Sequence, residues 1–176
     1  MCYTVIKEAS RKPKADDSAL KTKRSFSIML LRISFDGRVI GTGGSPYKRV
    51  AKNIYLDACG QILFEIDDYG EPYYYESYES EYERGKIRKI GNTYFYYNNY
   101  NSSSYEVGKI SKIGDTYFYY YGYNDSSYEE GKLHKIGDTF LYYYGYNDYS
   151  YEEGKLRKIG ETCIYYDDNG SVRKID

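Results

Sequence analysis

The sequence has no tryptophan, a single histidine and only three cysteines, and these shortages exclude several kinds of protein. The cysteines, Cys2, Cys59 and Cys163, are odd in number and unpaired in spacing, so neither a disulfide framework nor a CxxC metal site is indicated. The longest apolar run, Ile28 to Leu31, is far too short to span a bilayer, and basic residues interrupt the stretch where a secretory signal needs apolar ones. We therefore expect a cytoplasmic protein with reduced thiols and no membrane span.

Tyrosine takes the place that other large apolar residues occupy in most domains. The chain has 28 tyrosines among 176 residues. Each ring brings a hydroxyl that must contact water or find a hydrogen-bond partner, so few of these side chains suit a dry core. The formal net charge of -1 gives no overall attraction to nucleic acid or to an anionic membrane, and charge must therefore be examined locally.

A repeat of 23 residues runs through the second half of the chain, as the spacing of Gly85, Gly108, Gly131 and Gly154 shows. Such fixed self-similarity is typical of repeat architectures, in which each unit relies on its neighbours to cover its apolar face. Four clear units cover residues 82–104, 105–127, 128–150 and 151–176. Weaker copies surround Gly37, Gly60 and Gly170, which gives seven degenerate units in all.

Within a unit, a short strand pattern, the dipeptide Gly137-Asp138 and an aromatic strand pattern follow one another. Glycine followed by Asp, Asn or Glu suits a two-residue type II′ turn, and Thr, Tyr, Phe and Ile favour the flanking strands. This register places Ile136 opposite Thr139. The sequence predicts an all-β fold in one domain over residues 26–176: a repeat antiparallel β-meander, either an open single-layer sheet or a solenoid of β-hairpins, with closure into a short barrel as a third form.

Strict alternation along these strands predicts two faces. The columns headed by Ile90, Phe95 and Tyr97, together with that of Arg88, form the more apolar face, which we expect to be covered. The column headed by Ile87 is assigned to the opposite face, with rows of Tyr and Lys. The candidate binding residues on that second face are Lys89, Lys112, Lys135, Lys158, Tyr94, Tyr117, Tyr96, Tyr119, Tyr142 and Tyr165.

Residues 1–25 form a basic arm, because seven Lys and Arg residues stand against three acidic ones. Its low apolar content predicts a flexible or weakly helical segment. We interpret it either as a solubilising tail or as an electrostatic tether to an acidic partner.

The segments GKIRKIGNTYFYY and YYDDNGSVRKI resemble the tyrosine-rich repeats of uncharacterised bacterial proteins. The opening YEEG at 128–131 also resembles MORN repeats, as does the period, and the aromatic hairpins resemble those of cell-wall-binding modules without their tryptophans. The resemblance covers residues 82–176, and it implies a repeat sheet used for binding or scaffolding.

The reactive residues of this sequence do not form a recognisable catalytic or metal-binding motif. His134 occupies a position that is Arg or Ser in sister units, and Cys163 replaces an aromatic ring. Cys2 could act as a nucleophile or an acylation site, but no supporting motif follows it. The glycine-rich stretch Ile40 to Lys48 lacks phosphate-loop spacing, and the Asp- and Asn-rich loops lack the order of a calcium-binding EF-hand. We therefore predict a non-catalytic protein with no cofactor and no metal.

Two functions fit this interpretation. The first is a binding or scaffold module that mediates protein–protein interaction through its tyrosine-rich face. The alternative is a nucleic-acid or polyanion binder that uses the rows of Lys and Tyr with the basic arm. Uncapped sheet edges would in addition permit edge-to-edge self-association.

Overall fold

The computed structural model describes residues 29–44, 46–57, 59–66, 70–123, 125–127 and 129–176, and the basic arm and Cys2 lie outside this range. The described residues form fifteen strands and no helix. No helix that could cross a membrane is therefore present in this part of the chain. The strands are β1 (Met29–Ile33), β2 (Val39–Thr42), β3 (Lys48–Ala51), β4 (Ile54–Leu56), β5 (Ile62–Ile66), β6 (Pro72–Tyr74), β7 (Ile87–Ile90), β8 (Thr93–Tyr97), β9 (Ile110–Ile113), β10 (Thr116–Tyr120), β11 (Leu133–Ile136), β12 (Thr139–Tyr143), β13 (Leu156–Ile159), β14 (Thr162–Tyr166) and β15 (Val172–Ile175).

The predicted meander is confirmed in β6 to β15, which form a ten-stranded antiparallel sheet in which every strand pairs with its neighbour in the chain. Ile136 pairs with Thr139, as the turn register predicts. Gly137 has a φ of 54°, a conformation that glycine adopts without strain, and Asp138 keeps a negative φ. A positive φ at the first turn residue alone is the pattern of a type II′ turn.

A β-bulge interrupts each basic strand of this sheet. Tyr96 pairs with Lys112, but Tyr97 pairs with Ile110, so Ser111 has no residue opposite it. The same irregularity recurs at every equivalent position, namely at Arg88, His134, Arg157 and Arg173. An extra residue shifts the alternation of side chains by one place, and residues before the bulge change face.

The face assignment of two columns was therefore wrong. The column of Ile87, Ile110, Leu133 and Leu156, predicted beside the exposed lysines, is fully buried with the apolar columns. The column of Arg88, Ser111, His134 and Arg157, predicted on the covered face, lies half-buried or exposed at the bulges. The other apolar columns are buried as expected, and we call this side of the ten-stranded sheet the inner face.

The first five strands form a second sheet, with the order β2-β1-β5-β4-β3, and it covers the inner face. The ring of Phe64 in β5 meets that of Phe95 edge-on, with 5.4 Å between the ring centroids. At the other end of the interface, Lys48 Nζ donates to Thr162 Oγ1 at 3.3 Å. Buried side chains from both sheets form one continuous core. Each fully buried Ile, Leu or Phe contributes about 1.5–3 kcal/mol to folding, so this interface is a major source of stability.

The turn between β1 and β2 makes the closest approach between the two sheets. Ile87 N donates to Gly37 O at 3.0 Å, and Ile110 N donates to Phe35 O at 2.8 Å. Gly37 has a φ of 80°, and a Cβ on it would overlap the ring of Tyr97. Glycine is therefore required here both for the backbone conformation and for space.

Long loops join the hairpins on one side of the ten-stranded sheet. Each is closed at its base by backbone hydrogen bonds, for example between Tyr144 N and Lys155 O at 2.9 Å. The last connection is short: Gly170 N donates to Asp167 O at 2.7 Å, and Asp167 N donates to Ser171 O at 2.9 Å. The hairpins can thus be joined by a tight turn or by a long loop.

Candidate functional site

The side of the ten-stranded sheet that no described residue covers, the outer face, is a continuous array of aromatic and lysine side chains. Its rings are substantially exposed, with 52% of the Tyr117 surface accessible and 45% of the Tyr94 surface. The rings belong to the second strand of each hairpin, where two positions in every five point outward because side chains alternate. The exposed outer-face rings are Tyr73, Tyr94, Tyr96, Tyr117, Tyr119, Phe140 and Tyr142.

Three lysines of the outer face lie between rings on the two neighbouring strands. The Nζ atom of Lys112 is 5.6 Å from the ring centroid of Tyr96 and 5.1 Å from that of Tyr117. These are cation–π distances, and such contacts are worth about 0.5–1 kcal/mol at exposed sites. The arrangement recurs at Lys89 between Tyr73 and Tyr94, and at Lys135 between Tyr119 and Phe140.

Turn carboxylates offset much of the positive charge of this face. Lys112 and Lys135 each have an aspartate carboxylate of the adjacent turn at 3.9 Å. Lys158 Nζ donates to Glu161 Oε2 at 3.1 Å, and this hydrogen bond raises the pKa of Lys158. The side chain of Lys112 keeps only 27% of its surface exposed, so packing holds the lysine stems in place. The outer face is therefore an ordered surface with little net charge.

A second set of tyrosines is structural. Tyr120 lies on the inner face, and its hydroxyl donates to Ile110 O at 2.8 Å. Burial raises the pKa of Tyr120 well above its ordinary value of 10.0. The same bond repeats, with distances of 2.7 to 2.9 Å, at Tyr97, Tyr143 and Tyr166. These rings are not available to a partner.

The lysine that follows each repeat glycine is structural as well. Lys132 Nζ donates to Gly154 O of the next unit at 2.8 Å and lies 5.0 Å from the ring centroid of Tyr143. Loss of hydration on burial lowers the pKa of Lys132. Equivalent bonds link Lys86 to Gly108, Lys109 to Gly131 and Lys155 to Gly170. Each unit is thereby hydrogen-bonded to the unit that follows it.

The loops present a different surface, which is acidic and carries exposed tyrosines at its tips. Part of the acidity is structural, because Asp148 Oδ2 accepts a hydrogen bond from Gly145 N at 2.7 Å. An open cavity of about 440 Å³ lies between two loops, and Arg157 and Ser127 are among its lining residues. The tyrosines at the tips are Tyr100, Tyr123 and Tyr146.

His134 and Cys163 each have packing neighbours in the ten-stranded sheet. His134 stacks on Tyr121, with 4.3 Å between the ring centroids, and Cys163 lies opposite Lys158 on the outer face. Across residues 29–44, 46–57, 59–66, 70–123, 125–127 and 129–176, no three His, Cys, Asp or Glu side chains are grouped so as to hold a metal ion.

The ten predicted binding residues all lie on the outer face. The predicted tyrosines are exposed except for Tyr165, which is half-buried, as are the four lysines. The structure also places Phe140 there, which repeat alignment puts in the column of Tyr117, and two residues that the prediction omitted: Tyr73, and Lys174 with its Nζ 5.8 Å from the Tyr165 ring. Repeat alignment would have found Lys174, since it matches Lys158.

No protein-family model, no curated protein and no solved structure matches the chain. The resemblance to MORN repeats therefore stays a prediction, and the function must be argued from the geometry of the molecule.

Proposed function

We propose that this protein is a non-catalytic binding module that recruits a protein partner through its outer face. The observation that carries the proposal is the continuous row of exposed rings on one side of a sheet whose other side is covered. Tyrosine is enriched in protein interfaces because it offers a large contact area and a hydroxyl at a low entropic cost.

The size of the outer face matches this role. Ten strands at a spacing of about 4.8 Å span about 43 Å, and strands of this length add about 15 Å in the other direction. The resulting area of about 650 Å² is close to the roughly 800 Å² that each partner buries in a standard protein interface. A small-molecule pocket would need concavity, which a sheet face does not provide.

Order within the face also favours binding. The lysine stems are packed between rings, and both flanking strands are hydrogen-bonded in the sheet, so few rotamers remain to be frozen by a partner. Immobilising a free side chain costs about 0.5–1.5 kcal/mol, and an array that is already ordered avoids much of this cost.

The charge balance favours a protein over a nucleic acid. Binding to phosphate chains requires a surplus of basic groups, whereas the turn carboxylates Asp115, Asp138 and Glu161 stand beside the lysine row. A nucleic-acid or polyanion partner remains the second candidate, because the lysines recur every second strand, about 9.6 Å apart, with rings between them.

Quantitative affinity capture with a face variant and a matched control tests the proposal. The face variant carries Tyr96→Ser, Tyr119→Ser and Tyr142→Ser. The control carries the same substitution at three loop tyrosines, Tyr100→Ser, Tyr123→Ser and Tyr146→Ser. We expect a partner that the wild type and the control retain and the face variant loses. Each ring at the centre of an interface contributes 1 kcal/mol or more, so the affinity should fall at least about tenfold.

Circular dichroism and thermal unfolding must show that both variants are folded. Equal capture by the face variant and the wild type contradicts the proposal. Fluorescence anisotropy with labelled oligothymidylate addresses the second candidate: binding that persists at physiological salt, and that weakens when Lys112 and Lys135 are replaced by Met, would favour nucleic acid instead.

A further inference from the structure

The ten-stranded sheet ends on each side in half of a hairpin. The sequence VRKI of β15 matches LRKI of β13, which is the first strand of its hairpin. β6 pairs with β7 as β8 pairs with β9, so β6 matches the second strand of a hairpin. No described strand pairs with the far edge of β6 or of β15. Within the described residues, one end of the sheet therefore has no second strand for its hairpin, and the other end has no first strand.

The pairing registers identify the equivalent residues. Tyr73 pairs with Lys89 and Tyr74 with Ile87 across a bulge, as Tyr96 and Tyr97 pair in the next unit. Tyr74 is thus the counterpart of Tyr97, and counting back places Glu71 as the counterpart of Tyr94. By the same comparison at the other end, Val172 corresponds to Leu156 and Lys174 to Lys158.

Solvent reaches the apolar columns at both ends. Tyr97, which lies beside the first strand of its own hairpin and against Gly37, is 8% exposed, whereas Tyr74 is 46% exposed. Val172 and Ile175 are half-buried, although their counterparts Leu156 and Ile159 are buried. Each end thus exposes side chains that a neighbouring strand covers in the internal hairpins.

We propose that β15 of one copy pairs with β6 of a second copy in the register of the internal hairpins, so that the protein self-associates head to tail. In this register Ile175 lies opposite Gly70, and Lys174 lies opposite Glu71. The Tyr74 hydroxyl reaches Val172 O, as Tyr97 reaches Ile87 O within its own hairpin at 2.7 Å. The junction would then be a hairpin whose two strands come from different molecules.

Charge and exposure favour this pairing over the two symmetric alternatives. In the internal hairpins the lysine lies opposite a ring or Cys163, for example Lys112 opposite Tyr117. Lys174 Nζ donates to Asp176 Oδ2 at 2.7 Å within its own chain, and across the proposed junction it faces a second carboxylate, that of Glu71; opposite charges at paired positions stabilise a sheet. Pairing β6 with β6 would bring glutamate near glutamate, and pairing β15 with β15 would leave the exposed Tyr74 edge of both copies without a strand beside it. A junction between unlike ends builds open chains, or rings if the rotation closes.

The backbone of both edges is compatible with the junction. The backbone groups of Cys163 and Asp176 exchange hydrogen bonds at 2.9 and 3.0 Å. Because hydrogen-bonded and non-hydrogen-bonded pairs alternate along antiparallel strands, the preceding residue Ile175 directs its N–H and C=O groups away from β14, toward the open edge of the sheet. Pro72 in β6 has no N–H to donate. Its counterpart in the next unit is Phe95. The short β7–β8 ladder consists of the pairs Lys89–Tyr94 and Ile90–Thr93 and does not include Phe95. The proline therefore removes no ladder hydrogen bond that the internal hairpins use.

Charge-swap variants of the full chain test the proposal by sedimentation velocity over a wide range of concentration. The wild type should gain mass with concentration. Lys174→Glu and Glu71→Lys should each weaken association about tenfold or more, because each replaces an attraction by a repulsion. The double variant, and an equimolar mixture of the two single variants, should associate like the wild type.

Recovery in the double variant and in the mixture would show that the single variants fold and that residues 174 and 71 meet. The proposal is overturned if the wild type stays monomeric throughout, or if the single variants associate as strongly as the wild type. It is also overturned if Glu71→Lys has no effect while wild type mixed with Lys174→Glu associates more strongly, since that result indicates a β15–β15 junction. The outer-face variant should self-associate normally, which separates this proposal from the proposed function.

Discussion

The buried tyrosine hydroxyls predict how the protein unfolds in alkali, and Tyr120→Phe isolates one of them. Tyr120 is 6% exposed, and burial holds its pKa well above the ordinary value of 10.0. Below about pH 10 the ring is neutral in the folded and the unfolded chain alike, and the stabilising interaction is fully present. Above that pH the unfolded chain releases the proton and the folded chain does not, so stability falls as the pH rises.

The magnitude follows from the number of such rings. Each one lowers the free energy of unfolding by about 1.4 kcal/mol per pH unit, so Tyr97, Tyr120 and Tyr143 together give about 4 kcal/mol per unit. Burial lowers the pKa of Lys86 and Lys109, which has the opposite sign: stability rises with pH between their lowered pKa and the unfolded value of 10.5. The tyrosine slope is therefore measured above about pH 11.5, a full unit above the lysine pKa of the unfolded chain, where Lys86 and Lys109 are largely neutral in both states.

Urea unfolding at a series of alkaline pH values measures this slope. Tyr120→Phe should reduce this slope by about 1.4 kcal/mol per pH unit, and at neutral pH it should cost about 1–3 kcal/mol because Ile110 O loses its donor. Tyr119→Phe is the matched control, since its ring lies on the outer face of the same strand, and it should keep the wild-type slope. Equal slopes in the wild type and Tyr120→Phe, or an equal reduction in the control, would refute the argument.

Three further substitutions test the packing, each by urea unfolding at neutral pH. Gly37→Ala should cost at least about 2 kcal/mol more than Gly43→Ala. The two glycines have similar φ values, 80° and 78°, but a Cβ on Gly37 would overlap the ring of Tyr97, whereas no atom lies within 4 Å of a Cβ on Gly43. Lys132→Met should cost about 1–3 kcal/mol because it leaves a glycine carbonyl of the next unit without its donor, whereas Lys135→Met on the outer face should cost under about 1 kcal/mol. Phe64→Ala, between the two sheets, should cost about 3–5 kcal/mol.

Each of these predictions has a result that contradicts it. Equal losses at the two glycines would mean that the neighbouring ring moves aside at little cost. Equal losses at the two lysines would remove the distinction between the structural and the outer-face rows. A loss under about 1 kcal/mol at Phe64 would show that the five-stranded sheet contributes little to the stability of the ten-stranded one.

The features predictable from the sequence are the local ones. The dipeptide Gly137-Asp138 specifies its turn through the backbone freedom of glycine, and β-branched and aromatic residues specify the strands on either side. The exposed positions of Tyr117 and Tyr119 follow in the same way from the equivalent turn, Gly114-Asp115, by alternation alone. The candidate binding face could be derived in this way because no residue between the turn and those rings breaks the alternation.

The features that escaped prediction depend on contacts beyond one hairpin. The bulge position is occupied by Arg, Ser or His, none of which marks a bulge, and it becomes visible only in the pairing of Tyr97 with Ile110. The five-stranded sheet depends on pairing of β1 with β5, which the fading repeat upstream of residue 70 does not specify. The role of Lys132 requires the position of a carbonyl in the following unit.

The five-stranded sheet has a consequence for how the array can evolve. Hairpins linked only to their neighbours can be gained by in-frame duplication of 23 codons, or lost by in-frame deletion of the same length. Here the five-stranded sheet contacts β7 through Gly37 and β14 through Lys48, and it therefore spans almost the whole ten-stranded sheet. A hairpin inserted under the five-stranded sheet would break these contacts. A hairpin added beyond β15 would leave its own apolar columns exposed. The width of the five-stranded sheet therefore restricts the number of hairpins.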